Sequence, residues 1–190
     1  MLKKMRSALV VSALLVAGAA NAVVENGSLS FQWQGTTPAM PVVPATWRFV
    51  DALGASYTPT NISLNMVRES DGSLSVNSAS NHSFFVAVDN GTLNTLDAYL
   101  GSNPTSTGLV ASRQLALAAT ASPGVDQVAI LMNGTPLRVG SANKVTAGGT
   151  GSQRSIDISL SAKIAPSSFT ERTIIGVSAP VIFSVDIVGS

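Results

Sequence analysis

The side chains that could perform acid–base or metal chemistry are few in this chain of 190 residues. His82 is the single histidine, so a Ser–His–Asp arrangement would have to use it, and no nucleophile motif accompanies it. Glu69-Ser70-Asp71 offers two carboxylates but lacks the ligand spacing of a calcium loop. The absence of cysteine excludes thiol nucleophiles and cysteine metal sites. The residue types therefore predict no catalytic residues, no metal site and no cofactor.

The ten acidic residues are mostly isolated from one another along the chain. Asp51, Asp71 and Asp89 stand beside glycine or loop residues, a position typical of turn-forming aspartates. No glycine-rich phosphate loop follows a predicted strand. Abundant strand signal with so little reactive chemistry favours a structural or binding module. An enzyme acting through His82 is the third hypothesis, and replacing that residue tests it.

The N-terminus has the three features of a secretion signal in the expected order. Basic residues come first, the apolar run 8–20 follows, and Ala20-Asn21-Ala22 forms an Ala-x-Ala cleavage signature. The apolar run is too short to span a membrane. We therefore predict a signal peptide over residues 1–22, cleavage after Ala22 and export of the remainder.

The composition bounds the partners that the exported chain can have. The chain is 45% hydrophobic and only 11% charged, whereas roughly a quarter of the residues are charged in ordinary domains. Removal of the signal peptide leaves eight basic against ten acidic residues, a formal charge of −2, which predicts no nucleic-acid partner. The length suits one domain. So few charges suit a surface that identical neighbours cover.

Short β-rich runs separated by turn residues continue through the rest of the chain. About nine or ten such runs, with turns about every 8–12 residues, predict an all-β fold, an antiparallel sandwich. The predicted strands are 28–34, 46–52, 61–68, 73–76, 83–88, 113–119, 126–133, 135–140, 155–164 and 173–190.

The sequence also predicts two hairpins, one central strand and one helix. Residues 61–68 and 73–76 are expected to form a hairpin, and Asn133-Gly134 is expected to turn a second one. The more continuous apolar run 83–88 predicts a central strand. Residues 93–100 place three leucines at helical spacing, so this segment is the one predicted helix, of at most two turns.

The run 28–34 alternates polar residues with Leu29, Phe31 and Trp33 directly behind the predicted cleavage site. The pattern alone allows it to be the first strand of the protein's own sheet. The Pro-rich connector Pro38–Pro44 disfavours a tight hairpin with the next predicted strand, and the run stands at the mature N-terminus. The strand is therefore free to pair with another molecule instead.

Here the residues carry a family resemblance. "NGSLSFQWQG" resembles the N-terminal extension of pilins assembled by the chaperone–usher pathway, in which a glycine precedes alternating apolar residues. The longer run "NGSLSFQWQGTTPAMPVVPATWRFVDALGASYTP" is similar to the start of the cysteine-free colonisation-factor pilins of the coli surface antigen five type. "ILMNGTPLRVGSA" and "APVIFSVDI" are similar too, so the resemblance runs the length of the mature chain. The ending "DIVGS" departs from the penultimate tyrosine of many pilins.

The resemblance implies an immunoglobulin-like sandwich over residues 36–190 that lacks its final strand. A periplasmic chaperone would fill the resulting groove first, and the N-terminal extension of the next subunit, residues 23–35, would then replace it. The implied donor residues are Gly27, Leu29, Phe31 and Trp33. The implied groove edge consists of Val181, Phe183, Val185 and Ile187.

The leading hypothesis is a structural pilin subunit that is exported through the periplasm and polymerises head to tail on the cell surface, where the fibre supports host attachment. Its partners would be identical subunits, the chaperone and an outer-membrane usher, with a tip adhesin and a host receptor as further candidates. A minor or tip subunit is the second reading within the family. The alternative class is a self-complete secreted β-sandwich that binds carbohydrate or protein, in which case residues 28–34 would pair within their own chain.

Overall fold

The structure is a computed structural model that describes residues 47–188, and its regular elements there are strands and short 3-10 turns. The all-β prediction is confirmed. No helix among residues 47–188 is long and apolar enough to cross a bilayer. The predicted signal peptide and the extension with Gly27, Leu29, Phe31 and Trp33 lie outside the described residues. The strands are β1 Trp47–Val50, β2 Leu64–Arg68, β3 Leu74–Ser78, β4 His82–Val88, β5 Thr92–Leu100, β6 Thr105–Thr107, β7 Ala116–Leu117, β8 Gln127–Met132, β9 Thr135–Pro136, β10 Val145–Thr146, β11 Gln153–Ile164, β12 Gly176–Ser178 and β13 Val181–Val188.

The long strand β11 is central to the larger sheet. One of its edges pairs with β8, and the other pairs first with β4 and then with β3. β3 and β4 therefore form one row, and β2 and β1 lie beside them as the outer row. β7 and β9 extend the sheet beyond β8. The predicted 61–68/73–76 hairpin is present as β2–β3, Asn133-Gly134 turns β8 into β9, and run 83–88 lies centrally in β4.

Residues 51–63 leave the outer row between β1 and β2. The Asp51 carboxylate accepts hydrogen bonds from the N–H groups of Leu53 and Ala55 at 2.8 and 2.9 Å, so it closes the first turn of this excursion as predicted. The N–H of Tyr57 still bonds to the carbonyl of Phe49 at 3.0 Å. Residues 57–63, named the crossing segment here, then run outside any strand until β2 begins.

The smaller sheet has the order β10-β5-β13. β13 pairs with β5 from Val181↔Leu100 to Val188↔Thr92. Along the chain, β6 follows β5 and β12 precedes β13. The two-stranded ribbon β6–β12 therefore continues the same antiparallel ladder beyond Leu100 and Val181. The smaller sheet faces the larger one, and the two together form the predicted antiparallel sandwich.

The helix predicted over residues 93–100 is wrong, because these residues form strand β5. The register between β5 and β13 shifts between Asp186 and Ile187, which leaves Asn94 as an extra residue. The bulge moves the inward phase of the strand by one residue, so Leu93 and Leu96 both point into the core despite their three-residue spacing. A bulged strand thus imitates the leucine spacing of a helix.

The core lies between the two sheets and consists of their inward-facing residues. In β4, Phe84, Val86 and Val88 are buried and alternate with less buried neighbours, as the apolar run 83–88 indicates. Ile156 in β11 of the larger sheet and Leu96 in β5 of the smaller sheet are both completely buried. Segment 113–119, predicted as a strand, contributes only the two-residue β7, which pairs parallel to β8.

Candidate groove for a neighbouring strand

One edge of strand β13 is unpaired within the part of the chain that the structure describes. Its eight residues pair with β5 on one side, and among residues 47–188 no strand pairs with the other side. An edge of this kind presents a row of free backbone N–H and C=O groups to an incoming strand. The strand is also long, which gives an added strand many consecutive hydrogen bonds.

The inward face of β13 is less buried than that of its partner β5. Leu96 and Leu100 in β5 are completely buried. The predicted groove-edge residues share the inward face of β13 and pack against the core, yet each is only half-buried: Val181, Phe183, Val185 and Ile187. The core is therefore open along β13. The structure brings these four side chains together on one face, and their part in a groove stays a prediction.

An aromatic cluster joins β13 to the larger sheet. The Phe183 ring lies 5.3 Å from the ring of Phe49 and 5.7 Å from that of Phe84, both at steep angles. Tyr57 in the crossing segment stacks on Phe84 at 4.7 Å. Such pairs stabilise beyond their buried area by roughly 0.5–1.5 kcal/mol each. The cluster holds β13 against the rest of the core, although no other strand of residues 47–188 pairs with its second side.

A cavity of about 210 Å³ lies beside the start of β13. The crossing segment and the start of β2 form one wall, with Ile62 and Leu64, and the β12–β13 junction forms another, with Val181. The floor comes from the larger sheet, including Ile158 of β11. The open side of the sandwich thus lies between the crossing segment and β13. The predicted strand 61–68 began three residues too early, because β2 starts at Leu64 and residues 61–63 belong to the crossing segment. Ile62 is the only large apolar residue between Tyr57 and Leu64.

His82 is the first residue of β4 and lines the same cavity. Its Nδ1 atom lies 3.0 Å from the hydroxyl of Tyr57. Burial lowers the pKa of His82 and raises that of Tyr57, because an apolar surrounding disfavours the charged form of each. Ser83 donates to Asp157 at 2.5 Å from the opposite face of β4, so His82, Ser83 and Asp157 do not converge.

The acidic residues considered for calcium also have local roles. Asp71 accepts hydrogen bonds from the N–H and the hydroxyl of Ser73 at 2.9 and 2.5 Å and lies 3.3 Å from the ammonium group of Lys163. The hydrogen bonds from Ser73 and the nearby Lys163 lower the pKa of Asp71 to about 2. Among the residues the structure describes, no three histidine or acidic side chains converge on a possible metal position.

Arg154 binds the first residues of β5, the strand that pairs with β13. Its guanidinium group is buried and donates to the carbonyls of Leu93 and Asn94 at 2.7 and 2.9 Å and to that of Ala147 at 3.1 Å. The sequence contained a signal for this role, because Arg154 is in phase with the inward-facing Ile156. Its partners could not be read from that phase, since they lie on β5 and in the loop before β11.

These features define a class of protein: an all-β sandwich of two unclosed sheets, consistent with an immunoglobulin-like pilin fold. No protein-family model matches the chain. The chain is 34% identical over 188 residues to a CS5 fimbrial subunit of Escherichia coli, an alignment that covers 90% of this chain and 93% of the relative. The chain therefore belongs to the CS5-type fimbrial pilins, as the resemblance of its sequence motifs predicted.

Proposed function

We propose that this chain is a structural fimbrial subunit that polymerises by donor-strand exchange. The observation that carries the proposal is the unpaired edge of β13 beside four half-buried inward side chains. Adding a strand there would satisfy the free backbone groups of β13 and cover the open core at once. The similarity to a fimbrial subunit over most of both chains supports the same conclusion.

The donor in this proposal is the extension 23–35 of the next subunit. Its alternation places Leu29, Phe31 and Trp33 on one face, in phase with Gly27. An added strand keeps this two-residue period, so its apolar face can meet the inward residues of β13. Burial of the three large side chains contributes roughly 5–9 kcal/mol, at about 1.5–3 kcal/mol each. Domains are stable by only about 5–15 kcal/mol, so a filled groove would be far more durable than an empty one.

The exchange joins two different surfaces of the same chain. Such head-to-tail contacts do not close on themselves, and they generate a helical filament. A periplasmic chaperone and an outer-membrane usher would hold and deliver the subunit after export, and the finished fibre on the cell surface would mediate adhesion to host cells. A tip adhesin and a host receptor complete the proposed set of partners. No enzymatic activity is part of this function.

Peptide complementation tests the proposal. A mature chain without residues 23–35 is mixed with a peptide of those residues, and its thermal unfolding is followed. The peptide should raise the unfolding temperature, because it binds the folded state and not the unfolded one. A Phe31→Asp peptide should fail, since it would bring an unpaired carboxylate into an apolar groove.

A Gln32→Asp peptide is the matched control, because residue 32 lies on the other face of the alternation and stays in solvent. It should stabilise the chain as the unchanged peptide does. Equal unfolding curves with the Phe31→Asp and the unchanged peptide would reject donor-strand exchange. A truncated chain that fails to fold and that no peptide rescues would favour the self-complete sandwich that binds carbohydrate or protein, because residues 28–34 would then belong to the chain's own sheet.

A further inference from the structure

Three exposed apolar side chains lie outside the groove, at the end of the sandwich where β13 begins. Ile174 is 90% exposed, Val125 is 55% exposed and Val110 is 38% exposed. We call the end that carries these residues the upper end, and the three residues together the apolar end surface. Neither the core nor the groove uses them.

The β6–β12 ribbon brings this surface together. Its register pairs Gly176 with Thr107, and continued by two residues it sets Ile174 opposite Leu109, next to Val110. The Ile174 carbonyl also packs so closely on Gly108 that a Cβ there would lie 2.0 Å away. On the other side of Val110, the guanidinium of Arg113 lies 3.9 Å from the carboxylate of Asp126, the neighbour of Val125.

The described chain begins at the opposite, lower end. Trp47 pairs with Val88, the last residue of β4, and β5 starts shortly afterwards at Thr92, the partner of Val188. The connector 36–46 therefore joins the sandwich at the lower end, where β13 finishes. The free edge of β13 runs from the upper end at Val181 to the lower end at Val188.

This placement decides where a neighbour must lie. Each subunit passes its own donor extension away from the lower end, to the subunit on that side. If the incoming extension also left the groove at the lower end, the subunit that supplies it and the subunit that receives this chain's own extension would both have to occupy the lower end. An antiparallel extension instead leaves the groove at the upper end. The body of the incoming subunit then stands over the apolar end surface, with its own lower end turned toward it.

We propose that Val110, Val125 and Ile174 form a contact surface for the body of the next subunit, a second copy of this chain. The inference rests on the proposed donor-strand exchange. The connector has 11 residues, with Pro38, Pro41 and Pro44 among them, and reaches at most roughly 35–40 Å. It therefore keeps the neighbouring body close to the surface.

The lower end suits this contact because its loops carry little charge. Asp89 in the β4–β5 turn pairs with Arg48. Loop 148–151 reads Gly-Gly-Thr-Gly, and the space beside Gly148 and Gly151 is open. An apolar side chain can pack against such a surface without burying an unpaired charge.

Electron microscopy of assembled fibres tests the contact with full-length chains. Ile174→Asp should still form detergent-resistant fibres, because the groove is intact. The fibres should be more flexible, with a persistence length of roughly half the wild-type value or less, since bodies joined without a packed interface move relative to one another. Leu53→Asp is the matched control: Leu53 is 93% exposed but lies in the turn after β1, away from both ends. Its fibres should match the wild type.

Fibre formation by a Phe31→Asp chain is measured in the same experiment. This variant distinguishes failure of the end contact from failure of donor-strand exchange. Normal fibres from Phe31→Asp would overturn donor-strand exchange and the end contact together. No fibres from Phe31→Asp, with wild-type stiffness for Ile174→Asp, would overturn the end contact alone. Equal softening by Leu53→Asp would also overturn it. Ile174→Ser replaces the aspartate variant if that chain does not fold, and the same outcomes apply.

Discussion

At the scale of single residues, Arg154 carries a charge into the core and forms no ion pair with any carboxylate of residues 47–188. Its nitrogen atoms donate to three backbone carbonyls, and the bulge residue Asn94 provides one of them. Its Nε atom is buried and has no hydrogen-bond partner in the part of the chain that the structure describes. A bulge interrupts a ladder and frees backbone groups, and here a side chain of the facing sheet occupies them. Arg154 thereby ties the two sheets together at the lower end.

Replacing Arg154 should therefore destabilise the fold strongly. Arg154→Met removes the donors but keeps much of the apolar stem, and the stranded carbonyls should lower the free energy of unfolding by about 2–4 kcal/mol. Urea denaturation measures the change. Arg138→Met is the control, because Arg138 also donates to a carbonyl, that of Ala119 at 2.7 Å, but is exposed. It should cost less than about 1 kcal/mol. Equal losses would show that burial of Arg154 is not the reason.

His82 should make stability depend on pH. Burial holds the pKa of His82 below its usual 6.5, so the unfolded chain binds the proton more tightly than the folded one. The free energy of unfolding should be highest above pH 6.5 and fall as the pH drops from 6.5 toward the lowered pKa. Urea denaturation at about pH 7.5 and about pH 5.5 measures the loss. In His82→Gln the part of the loss due to the imidazole should disappear, and an unchanged pH dependence would refute its origin in His82.

At the scale of elements, the β6–β12 ribbon depends on a close approach between two backbones. Gly108 has a φ of +79°, and the Ile174 carbonyl occupies the position where a Cβ would lie. Gly134, in the β8–β9 turn, has nearly the same φ of +80° but open space around it. The two glycines separate the cost of a left-handed backbone from the cost of a clash.

Gly108→Ala should therefore destabilise the chain more than Gly134→Ala. Both substitutions place a side chain at positive φ, which costs about 1–2 kcal/mol. Only Gly108→Ala also forces the carbonyl of Ile174 to move and disturbs the β6–β12 ribbon. Thermal unfolding of the two variants measures the difference. Similar unfolding temperatures would mean that the backbone at Ile174 can move away from residue 108 without lowering the stability of the chain.

Strand β13 presents its two faces to different surroundings, and this gives a test of the groove. Val185 points inward and is half-buried, whereas Ile182 on the same strand points outward and is 42% exposed. Val185→Thr places a hydroxyl where the donor should pack and should weaken binding of the 23–35 peptide by about 1–3 kcal/mol. Ile182→Thr should change it by less than about 0.5 kcal/mol. Calorimetric titration compares them, and equal affinities would argue against the inward face as the binding surface.

At the scale of the whole molecule, polymerisation would depend on how well one chain's extension fits another chain's groove. Gly27 is in phase with Leu29, Phe31 and Trp33, so a larger side chain there would enter the groove. Gly27→Val should slow or block fibre formation and leave the subunit folded. Ser28→Val, which changes the outward neighbour, should assemble normally. Fibre yield by electron microscopy decides, and normal yield from Gly27→Val would remove Gly27 from the donor face.

The sequence alone determined the all-β class, several strand positions and the family, because these depend on local pattern and motif. The two-residue alternation predicted the strands that became β11 and β13, and the family resemblance selected Val181, Phe183, Val185 and Ile187 as one face of β13. No prediction was made for Arg154, which precedes the predicted strand 155–164. The turn residues at Ser70-Asp71-Gly72 and Asn133-Gly134 identified two hairpins, since turn chemistry acts over a few residues. The same local reasoning mistook β5 for a helix, because a bulge restores a spacing of three.

Only the tertiary structure decided which strand edges meet. Three features depend on contacts between distant segments. Among residues 47–188, β13 pairs on one side alone, the crossing segment leaves the larger sheet, and Arg154 reaches Leu93 across 61 positions. The two-residue alternation of a strand determines which side chains share a face, but it does not determine which strand pairs alongside. That choice depends on how the two sheets cover their apolar faces together, a property of the whole packed core that no single segment contains.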